Sequence, residues 1–326
     1  MELTSVKTRV VGVDIGILKT TYAVIDLRGE IYAMKEFNTT DYPNIDNYIS
    51  VLCERIVELV EENGGYELLR SVGVCCPSSN YLTGCIENAS NLRWKGIVPL
   101  AALMRDRLGL AVAVGNNSQC VALGEHAFGA AHGMKDFIVI TLDHGLGSCL
   151  FSNGRLHLGN KGFAGEIGHT CLIPNGRECG CGNHGCLEAY CAWKGVVMTA
   201  QEVMSEFSEP SLMRDVETLT PVLISGMCEQ GDKLAIETWR RTGEMLGRGL
   251  ANYASIFNPE AIVITGSITH AGKWLFDPTE QSFNEHVFHN IKGQTRLLVS
   301  TLKDGERDVL GASVLAWQVK EYSLFK

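Results

Sequence analysis

One segment of the sequence combines a histidine and three cysteines at the spacing of a metal site. The segment GEIGHTCLIPNGRECGCGNHGCLE contains His169, Cys179, Cys181 and Cys186 in the order H-x9-C-x-C-x4-C. One imidazole and three thiolates form the soft, tetrahedral donor set of structural zinc, which leaves no coordination position for water. The glycines between them allow the chain to turn around a single ion. The spacing therefore predicts a structural Zn²⁺ site.

Other interpretations of this segment stay open from the residues alone. Cys171 and His184 lie in the same stretch and are spare candidates for ligands. A further interpretation is four reduced, unligated side chains in a loop rich in turns. Several of the twelve cysteines stand in apolar runs such as VGVCCP and GSCLF, where a free thiol behaves as a small hydrophobic side chain. In a long chain without an export signal, clustered cysteines favour a metal over disulfides.

A second stretch, VGNNSQCVALGEHAFG at residues 114–129, places two amides where chemistry is expected. A short apolar strand, residues 111–114, runs into Asn116 and Asn117 and then into a predicted helix. This strand-to-helix turn is where an α/β protein would present a catalytic carboxylate. An amide has no basic lone pair at neutral pH, so Asn117 can orient a hydroxyl group but cannot accept its proton.

Turns that contain glycine follow several apolar strands. Each half of the chain opens with a strand that meets such a turn, DIG with Asp14 and Gly16 in the first half and DHGLG with Gly145 and Gly147 in the second. A late strand ends in a third turn at Gly266. Glycine lets backbone amides approach phosphates, and positive φ costs it little. Each turn alone also fits an ordinary turn, but two of them facing each other across a cleft would suit a nucleotide.

Alternating strands and helices must position these residues. The apolar periodicity and the turn residues predict strands at 9–14, 20–26, 30–37, 71–76, 111–114 and 136–142, with helices at 44–62, 100–108 and 233–256. A hairpin follows the strand at 136–142, and EAIVITGSI supplies a late strand. This order predicts an α/β protein whose first part is an antiparallel meander.

Length and charge limit the classes of protein that fit. A chain of 326 residues is longer than a single core usually grows, so we expect two domains or lobes. The net charge of −9 argues against a nucleic-acid partner, because binding to a phosphate backbone needs a basic protein surface. We see no apolar window of about 20 residues and no signal-peptide core, so we expect no membrane partner and a cytoplasmic protein.

The segment GFAGEIGH followed by CGCGNHGCLE closely resembles the signature of the ROK family (repressors, open reading frames and kinases), which contains bacterial glucokinases and other hexose kinases. The likeness extends over nearly the whole chain, through GVDIG, NASNLRWKGI, LGEHAFGAA and SIFNPEAIVITGSI. It implies an actin-like ATPase, ribonuclease-H-like α/β fold of two lobes with a structural zinc loop, and commonly a homodimer. We expect an N-terminal lobe of residues 1–116 plus about 309–326, and a C-terminal lobe of residues 117–308 with the zinc-binding insert.

The resemblance also implies roles for single residues, with a hexose or amino-hexose and ATP meeting in the cleft. The positions that resemble the family's sugar-binding residues are Asn91, Asn116, Glu166, His169 and Glu188. His169 would have two tasks, with one ring nitrogen on zinc and the other facing the sugar. The positions that resemble the family's nucleotide- and phosphate-binding residues are Asp14, Gly16, Lys19, Gly145, Gly147 and Gly266, with Mg²⁺ steered by Asp14. Without the signature, Glu166 and Glu188 would be interpreted as solvated or helix-capping carboxylates.

Three positions depart from the pattern that the family's kinases show. Asn117 stands where those kinases have the Asp that takes the proton from the 6-hydroxyl group of the sugar. Ile17 and Leu18 stand in the first phosphate loop where a glycine and a hydroxyl residue are usual. Asp143 and His144 replace the first two residues of the second loop. Phosphoryl transfer depends mainly on positioning and on charge stabilisation, and a carboxylate toward the phosphates opposes both.

Three functions follow from these patterns. The first is a glucokinase-like hexose kinase that transfers the γ-phosphoryl group of ATP to a sugar 6-hydroxyl, with Asp143 as the replacement base. The second is a non-catalytic sugar-binding protein that retains the zinc-organised pocket. The third, a transcriptional regulator, is disfavoured because repressors of the family carry a winged helix-turn-helix domain before the core, whereas about eight residues precede the first predicted strand here.

Overall fold

The computed structural model describes residues 7–89 and 91–319. The strands are β1 (Arg9–Ile15), β2 (Lys19–Asp26), β3 (Ile31–Asn38), β4 (Leu69–Cys75), β5 (Ser79–Asn80), β6 (Cys85–Glu87), β7 (Ile97–Val98), β8 (Ala111–Gly115), β9 (Phe137–Leu142), β10 (Leu146–Ser152), β11 (Arg155–Leu156), β12 (Ala261–Thr265) and β13 (Arg296–Val299). The α-helices are α1 (Ile45–Glu62), α2 (Leu100–Leu108), α3 (Asn117–Phe128), α4 (Glu188–Cys191), α5 (Trp193–Glu206), α6 (Pro221–Glu229), α7 (Lys233–Phe257), α8 (Lys273–His286) and α9 (Arg307–Gln318). The predicted strands and helices are thus confirmed, with differences of one or two residues at most ends.

The chain forms two compact units. The first contains the described residues of 7–133, 158–164 and 301–319, and the second contains Met134–His157 and Gly165–Ser300. The first unit therefore includes α3, which the sequence analysis placed in the second lobe. The reason is packing, because α3 lies against α9 so closely that a Cβ atom at Gly311 would stand 2.0 Å from the carbonyl oxygen of Cys120.

The first unit is built on a mixed sheet in the order β3-β2-β1-β4-β8. Strands β1, β2 and β3 pair antiparallel, which confirms the predicted meander, and β4 and β8 continue the sheet in parallel. Helix α1 buries an apolar stripe that includes Ile49, Leu52, Ile56 and Leu59. Asn44 caps α1, since its side chain accepts hydrogen bonds from the amides of residues 46 and 47. A small sheet, β5-β6-β7, completes the strands described in this unit.

Helix α9 approaches the first sheet at two glycines. A Cβ atom at Gly12 of β1 would lie 2.1 Å from the carbonyl oxygen of Val309, and one at Gly73 of β4 would lie 1.8 Å from that of Ala312. No real Cβ contact is that short, so the helix can lie at this distance only because both residues lack a side chain.

The second unit is built on a mixed sheet in the order β11-β10-β9-β12-β13. Strand β10 pairs antiparallel with β9 and β11, whereas β9, β12 and β13 run parallel. All five residues of β12 are buried, as expected for a strand covered on both faces. Helix α7 begins at the cap Asp232 and ends at Asn258, which adopts the left-handed conformation with φ 45°. Both units are thus mixed α/β structures, in agreement with the predicted class.

Two further findings concern the whole described chain. Each of the twelve cysteines is a free thiol, which agrees with the apolar surroundings of most of them. Across residues 7–89 and 91–319, no helix has both the length and the apolar character that crossing a lipid bilayer requires.

Substitution of Gly73 by alanine tests the close approach of α9. The added methyl group would collide with backbone, which cannot move away as a flexible side chain could, so we expect Gly73→Ala to lower the free energy of unfolding by about 3 kcal/mol. Chemical denaturation followed by circular dichroism measures the change. Gly226→Ala in α6 is the matched control, because its added Cβ meets no atom within 4 Å and alanine favours a helix by roughly 0.5–1 kcal/mol. Equal stability of the Gly73→Ala variant and the unmodified protein would contradict the packing described.

Candidate functional site

The turn between β8 and α3 is closed by its own side chains. The side-chain oxygen of Asn116 accepts a hydrogen bond from the backbone N–H of Gln119 at 2.8 Å. The side-chain oxygen of Gln119 accepts one from the backbone N–H of Asn116 at 3.2 Å. This reciprocal capping box begins α3 and leaves the side-chain NH₂ group of Asn116 for another partner. Asn117 is the first residue of α3 and is partly exposed. The structure therefore places the pair at the strand-to-helix turn that the sequence predicted.

The carboxyl group of Asp14 lies near the end of β1 in an unusual environment. Its Oδ1 is buried without a hydrogen-bond partner among the described residues. One carboxylate oxygen of Asp14, the Cys75 sulfur and one carboxylate oxygen of Asp308 lie within 4.8 Å of one another. Burial, followed by the negative charge of Asp308, raises the pKa of Asp14 to about 7. A large share of Asp14 is therefore protonated at neutral pH, which weakens it as a partner for Mg²⁺.

The loop after Asp14 uses its polar groups internally. The Gly16 amide donates to the Lys19 carbonyl at 2.8 Å, and a Cβ atom at Gly16 would lie 2.7 Å from that oxygen. The Lys19 ammonium group pairs with Glu36 across β2 and β3. Ile17 and Leu18 are exposed, so an apolar tip stands where the resemblance implies a phosphate loop.

Asn91, the remaining sugar-binding candidate of the first unit, is exposed on the segment before α2. It borders a cavity of about 210 Å³ together with Ile17, Tyr42 and Trp94. The indole of Trp94 donates to the carbonyl oxygen of Tyr42 at 3.2 Å, which fixes this segment against the body of the unit. The structure thus places Asn91 and the first loop at the same cavity.

In the second unit, the four predicted metal ligands come together. The donor atoms of His169, Cys179, Cys181 and Cys186 all lie within 4.8 Å of one another. The Cys179 sulfur is 3.6 Å from Nδ1 of His169, and the Cys181 and Cys186 sulfurs are 3.7 Å apart. Cys171 and His184 lie outside this group. The donor set and its convergence fit a tetrahedral metal ion.

The loop that carries these ligands needs glycine for its path. Gly185 has φ 77°, and a Cβ atom there would lie 1.8 Å from the carbonyl oxygen of Ile173. Burial and the neighbouring thiols raise the pKa of Cys186 to about 12, and burial raises the pKa of Cys179. A cation must therefore displace protons to bind here, which couples metal affinity to pH.

Glu188 links the cysteine cluster to the second glycine loop. Its Oε2 accepts a hydrogen bond from the Leu146 amide at 2.9 Å, and its Oε1 lies 3.6 Å from the Cys179 sulfur and 4.0 Å from Nδ1 of His169. A Cβ atom at Gly145 would stand 2.9 Å from Glu188, which explains the need for glycine there. The structure therefore brings Glu188, His169 and the loop of Gly145 and Gly147 into one group.

Glu166 and His169 lie at the two ends of one short turn. The His169 amide donates to the Glu166 carbonyl at 3.2 Å across the 3-10 segment Ile167–His169. The carboxylate of Glu166 is exposed, and no hydrogen bond or ion pair of it occurs within the described residues. His169 presents Nδ1 to the cysteines, so its Nε2 is the nitrogen left for another partner.

Asp143 belongs to the second glycine turn, DHGLG, and its carboxylate reaches the third turn at Gly266. Its Oδ1 accepts a hydrogen bond from the Ser267 amide at 2.7 Å, directly after Gly266. Gly266 has φ 100°, and a Cβ atom there would lie 2.3 Å from the Leu142 carbonyl oxygen. An internal carboxylate thus takes a backbone donor of the turn that the resemblance assigns to the nucleotide. No local pattern indicates this hydrogen bond, because its partners lie 124 residues apart in the chain.

A cavity of about 270 Å³ adjoins this turn. Trp193, Trp239 and Trp274 line it together with Ser267 and Ile268. The ring of His144 stacks on Trp193 with centroids 5.0 Å apart. No pattern along the sequence indicates this cavity, because its walls come from α5, α6, α7 and the segments that follow β12.

Comparisons with known proteins identify a family and similar chains. The model of the ROK family matches residues 10–319. A glucokinase of Halalkalibacterium halodurans is 30% identical over 321 residues, which cover 95% of this chain and 94% of that protein. The crystal structure of a ROK family glucokinase from Streptomyces griseus in complex with glucose and AMPPNP has a TM-score of 0.78 and 30% identity, covering 95% of this chain and 100% of that chain. The N-acetylglucosamine repressor of Escherichia coli O157:H7 is 32% identical over 216 residues, which cover 66% of this chain and 52% of the repressor.

The raised pKa of Asp14 predicts a pH dependence of stability. The native state binds more protons than the unfolded chain between the ordinary pKa of 3.8 and about 7. The stabilising contribution of this carboxyl group is complete below pH 4 and is lost as the pH rises through 7, with an upper bound of about 4 kcal/mol. Asp14→Asn removes the titration, so we expect its free energy of unfolding to fall less between pH 4 and 7.5 than that of the unmodified protein.

Urea denaturation at several pH values measures this difference. Asp41→Asn, which changes an exposed carboxylate of the same unit, serves as the control and should keep the slope of the unmodified protein. Parallel slopes for Asp14→Asn and the unmodified protein would contradict the environment described for Asp14.

Proposed function

The chain belongs to the ROK family and has the scaffold of its glucokinase-like members, and we propose that it binds a hexose or amino-hexose but transfers phosphoryl groups from ATP to the sugar 6-hydroxyl only slowly. The observation that carries the proposal is Asn117 at the first position of α3. The resemblance implies an Asp base at this position. General-base catalysis contributes about 10²–10⁴-fold, so an amide at this position removes most of the rate.

The second unit supports the sugar-binding part of the proposal. Glu166, His169 and Glu188 present two carboxylates and one imidazole nitrogen, as hydroxyl groups of a sugar require. Glu188 is held in place by the Leu146 amide, so its orientation costs little entropy when a ligand binds. In the first unit, we propose that Asn91 and the NH₂ group of Asn116 donate hydrogen bonds to the sugar.

The donor set at His169 fits zinc, and we propose a structural Zn²⁺ held by His169, Cys179, Cys181 and Cys186. One imidazole and three thiolates supply four ligands, and the ion would fix the loop and the ring plane of His169. Nδ1 is the nitrogen that faces the cysteines. Nε2 would then face the sugar, so metal binding would orient one of the groups that recognise the substrate.

The residues on the phosphate side fit ATP and Mg²⁺ poorly. Asp14 shares a confined space with Asp308 and is partly protonated at neutral pH. Asp143 places a carboxylate on the Ser267 amide, where it would repel a phosphate group.

The alternatives lack comparable support. An efficient kinase would need Asp143 as its base, but Oδ1 of that carboxylate already accepts the Ser267 hydrogen bond. The repressors among the similar proteins suggest a DNA-binding regulator as an alternative function. The net charge of −9 opposes binding to the phosphate backbone of DNA.

Restoration of the carboxylate tests the slow transfer. We expect Asn117→Asp to raise the rate of hexose phosphorylation by about 10²–10⁴-fold, because the new carboxylate can accept the hydroxyl proton. A coupled assay with glucose, N-acetylglucosamine, N-acetylmannosamine and fructose measures the rate. Asn290→Asp, an exposed site in the second unit, is the control for the added charge. An equal rate before and after Asn117→Asp would show that Asn117 does not face the sugar.

Removal of one thiolate tests the link between zinc and sugar. We expect one zinc ion per chain by elemental analysis and a loss of that zinc in Cys181→Ser, since three ligands hold the ion less tightly than four. Hexose affinity in calorimetry should fall by about 10-fold or more, because loss of the groups that hold a binding side chain in its orientation typically costs about 10–100-fold. Cys85→Ser, a cysteine of the first unit outside the cluster, should retain zinc and affinity. If no hexose binds the unmodified protein at millimolar concentration, the proposed function fails.

A further inference from the structure

One buried arginine joins the cysteine loop to the two helices that follow it. The side chain of Arg177 is only 10% exposed, and its guanidinium group makes five hydrogen bonds, as many as it has N–H donors. Nε and Nη2 donate to the two carboxylate oxygens of Glu202 at 3.0 and 2.5 Å. Nη1 donates to the carbonyl oxygens of Ala189 and Gly195 at 3.2 and 3.0 Å, and Nη2 also donates to the Thr199 hydroxyl group at 3.0 Å.

These partners lie on both sides of the break between α4 and α5. The Ala189 carbonyl group belongs to α4, whereas the other three partners belong to α5. The guanidinium carbon of Arg177 also lies 4.7 Å from the ring centre of Tyr190 on α4, a distance at which a cation and an aromatic ring attract each other. One side chain therefore holds the orientation of α4, the helix that begins at Glu188.

The backbone of Arg177 is bonded to the cysteine loop itself. Its carbonyl oxygen accepts a hydrogen bond from the Gly185 amide at 2.8 Å, and its amide donates one to the Tyr190 hydroxyl group at 3.0 Å. Gly185 directly precedes Cys186, and Arg177 stands two residues before Cys179. A single residue thus connects both sides of the loop with α4.

This connection sets the distance between the thiol groups and the carboxylate of α4. Oε1 of Glu188 lies 3.6 Å from the Cys179 sulfur. A shift of α4 against the loop would therefore move a proposed sugar ligand relative to a proposed metal ligand. The hydrogen bonds of Arg177 go to the supports of both groups, so the residue acts on each of them through its support.

We propose that Arg177 is a positioning residue that holds the thiol groups of Cys179 and Cys186 and the carboxylate of Glu188 in one arrangement before a ligand binds. The loop then needs little reorganisation when zinc binds, which raises the affinity for the ion. Because the same residue holds Glu188, zinc and a sugar strengthen each other's binding, by the same factor in both directions. The inference rests on the proposed function, since it names the residue that links the proposed zinc site to the proposed sugar site.

Substitution of Arg177 in the full chain tests the proposal. We expect zinc affinity, measured by competition with a chelator, to fall about 10–100-fold in Arg177→Gln, the loss that is typical when a group that orients metal ligands is removed. Arg177→Lys should recover part of this loss, because an ammonium group supplies three of the five donors. Glu202→Gln leaves the loop untouched and removes the charge of one partner, so its loss should be smaller. These two milder variants decide the question if Arg177→Gln does not fold.

Arg240→Gln is the matched control. This exposed arginine of α7 also donates through Nε and Nη2 to the two oxygens of one carboxylate, that of Glu237, at 2.6 and 2.7 Å. The variant removes the same charge and the same kind of ion pair in the second unit, and it should keep the zinc affinity of the unmodified protein.

A hexose titration separates positioning from a general loss of stability. The zinc dissociation constant is measured with and without saturating glucose or N-acetylglucosamine, and the ratio of the two constants reports the coupling. We expect a ratio of at least about fivefold in the unmodified protein and a ratio near one in Arg177→Gln. Lower stability alone, followed by thermal denaturation, would leave this ratio unchanged.

Several results would overturn the inference. They are equal zinc affinities of the unmodified protein and the Arg177 variants, equal coupling ratios in these proteins, and a loss in Arg240→Gln as large as that in Arg177→Gln. If the unmodified protein and Arg177→Gln bind zinc and hexose equally well, this inference alone fails. If the unmodified protein binds no hexose while Arg177→Gln loses zinc affinity, the proposed sugar site fails and the positioning of the metal loop by Arg177 stands. Absence of zinc binding by the unmodified protein would refute the zinc site together with this inference.

Discussion

The contact of α9 with β1 and β4 is the constraint on which the first unit depends. Gly12, Gly73 and Gly311 remove the side chains that would hold the helix away from the sheet and from α3. The first turn of α9 then reaches the end of β1, so Asp308 arrives beside Asp14 and Cys75. Backbone packing therefore sets the electrostatic environment of the Asp14 carboxyl group near the end of the first strand. A change in that packing would alter acid–base chemistry without touching an ionisable residue.

In the second unit, carboxylate side chains of the protein itself accept hydrogen bonds from the backbone amides of its glycine turns. Glu188 and Asp143 each accept a hydrogen bond from a backbone amide of a glycine turn, Leu146 in one case and Ser267 in the other. Amides at such turns commonly serve ligands with negative charge. When a side-chain carboxylate takes their place, the loop becomes rigid and its affinity for an external anion falls. The two carboxylates differ in their surroundings. Oε1 of Glu188 lies 3.6 Å from the Cys179 sulfur and 4.0 Å from Nδ1 of His169, whereas Asp143 links its own glycine turn to the turn at Gly266.

The sequence predicted what depends on neighbours along the chain. Strand and helix positions follow from periodicity, and the convergence of His169 with the cysteines follows from their spacing within eighteen residues. Contacts between distant segments left no local trace. Asp143 meets Ser267, Asp14 meets Asp308, and Trp193 joins Trp239 and Trp274 at one cavity only through the tertiary fold. The extent of the first unit was missed for the same reason, because α3 joins it through packing on α9 rather than through any boundary signal.

The position of Asn117 in the fold determines how readily its amide could be replaced by a carboxylate. It stands at the first position of α3, where the macrodipole of the helix favours a negative charge by about 0.3–1 kcal/mol, and no acidic residue occupies that first turn. The Asn116–Gln119 capping box supports the helix end independently of residue 117. The fold therefore places no demand on the amide, and the codons of asparagine and aspartate differ by a single base. In evolutionary terms, the step between the two side chains is open in both directions, and stability slightly favours the acid.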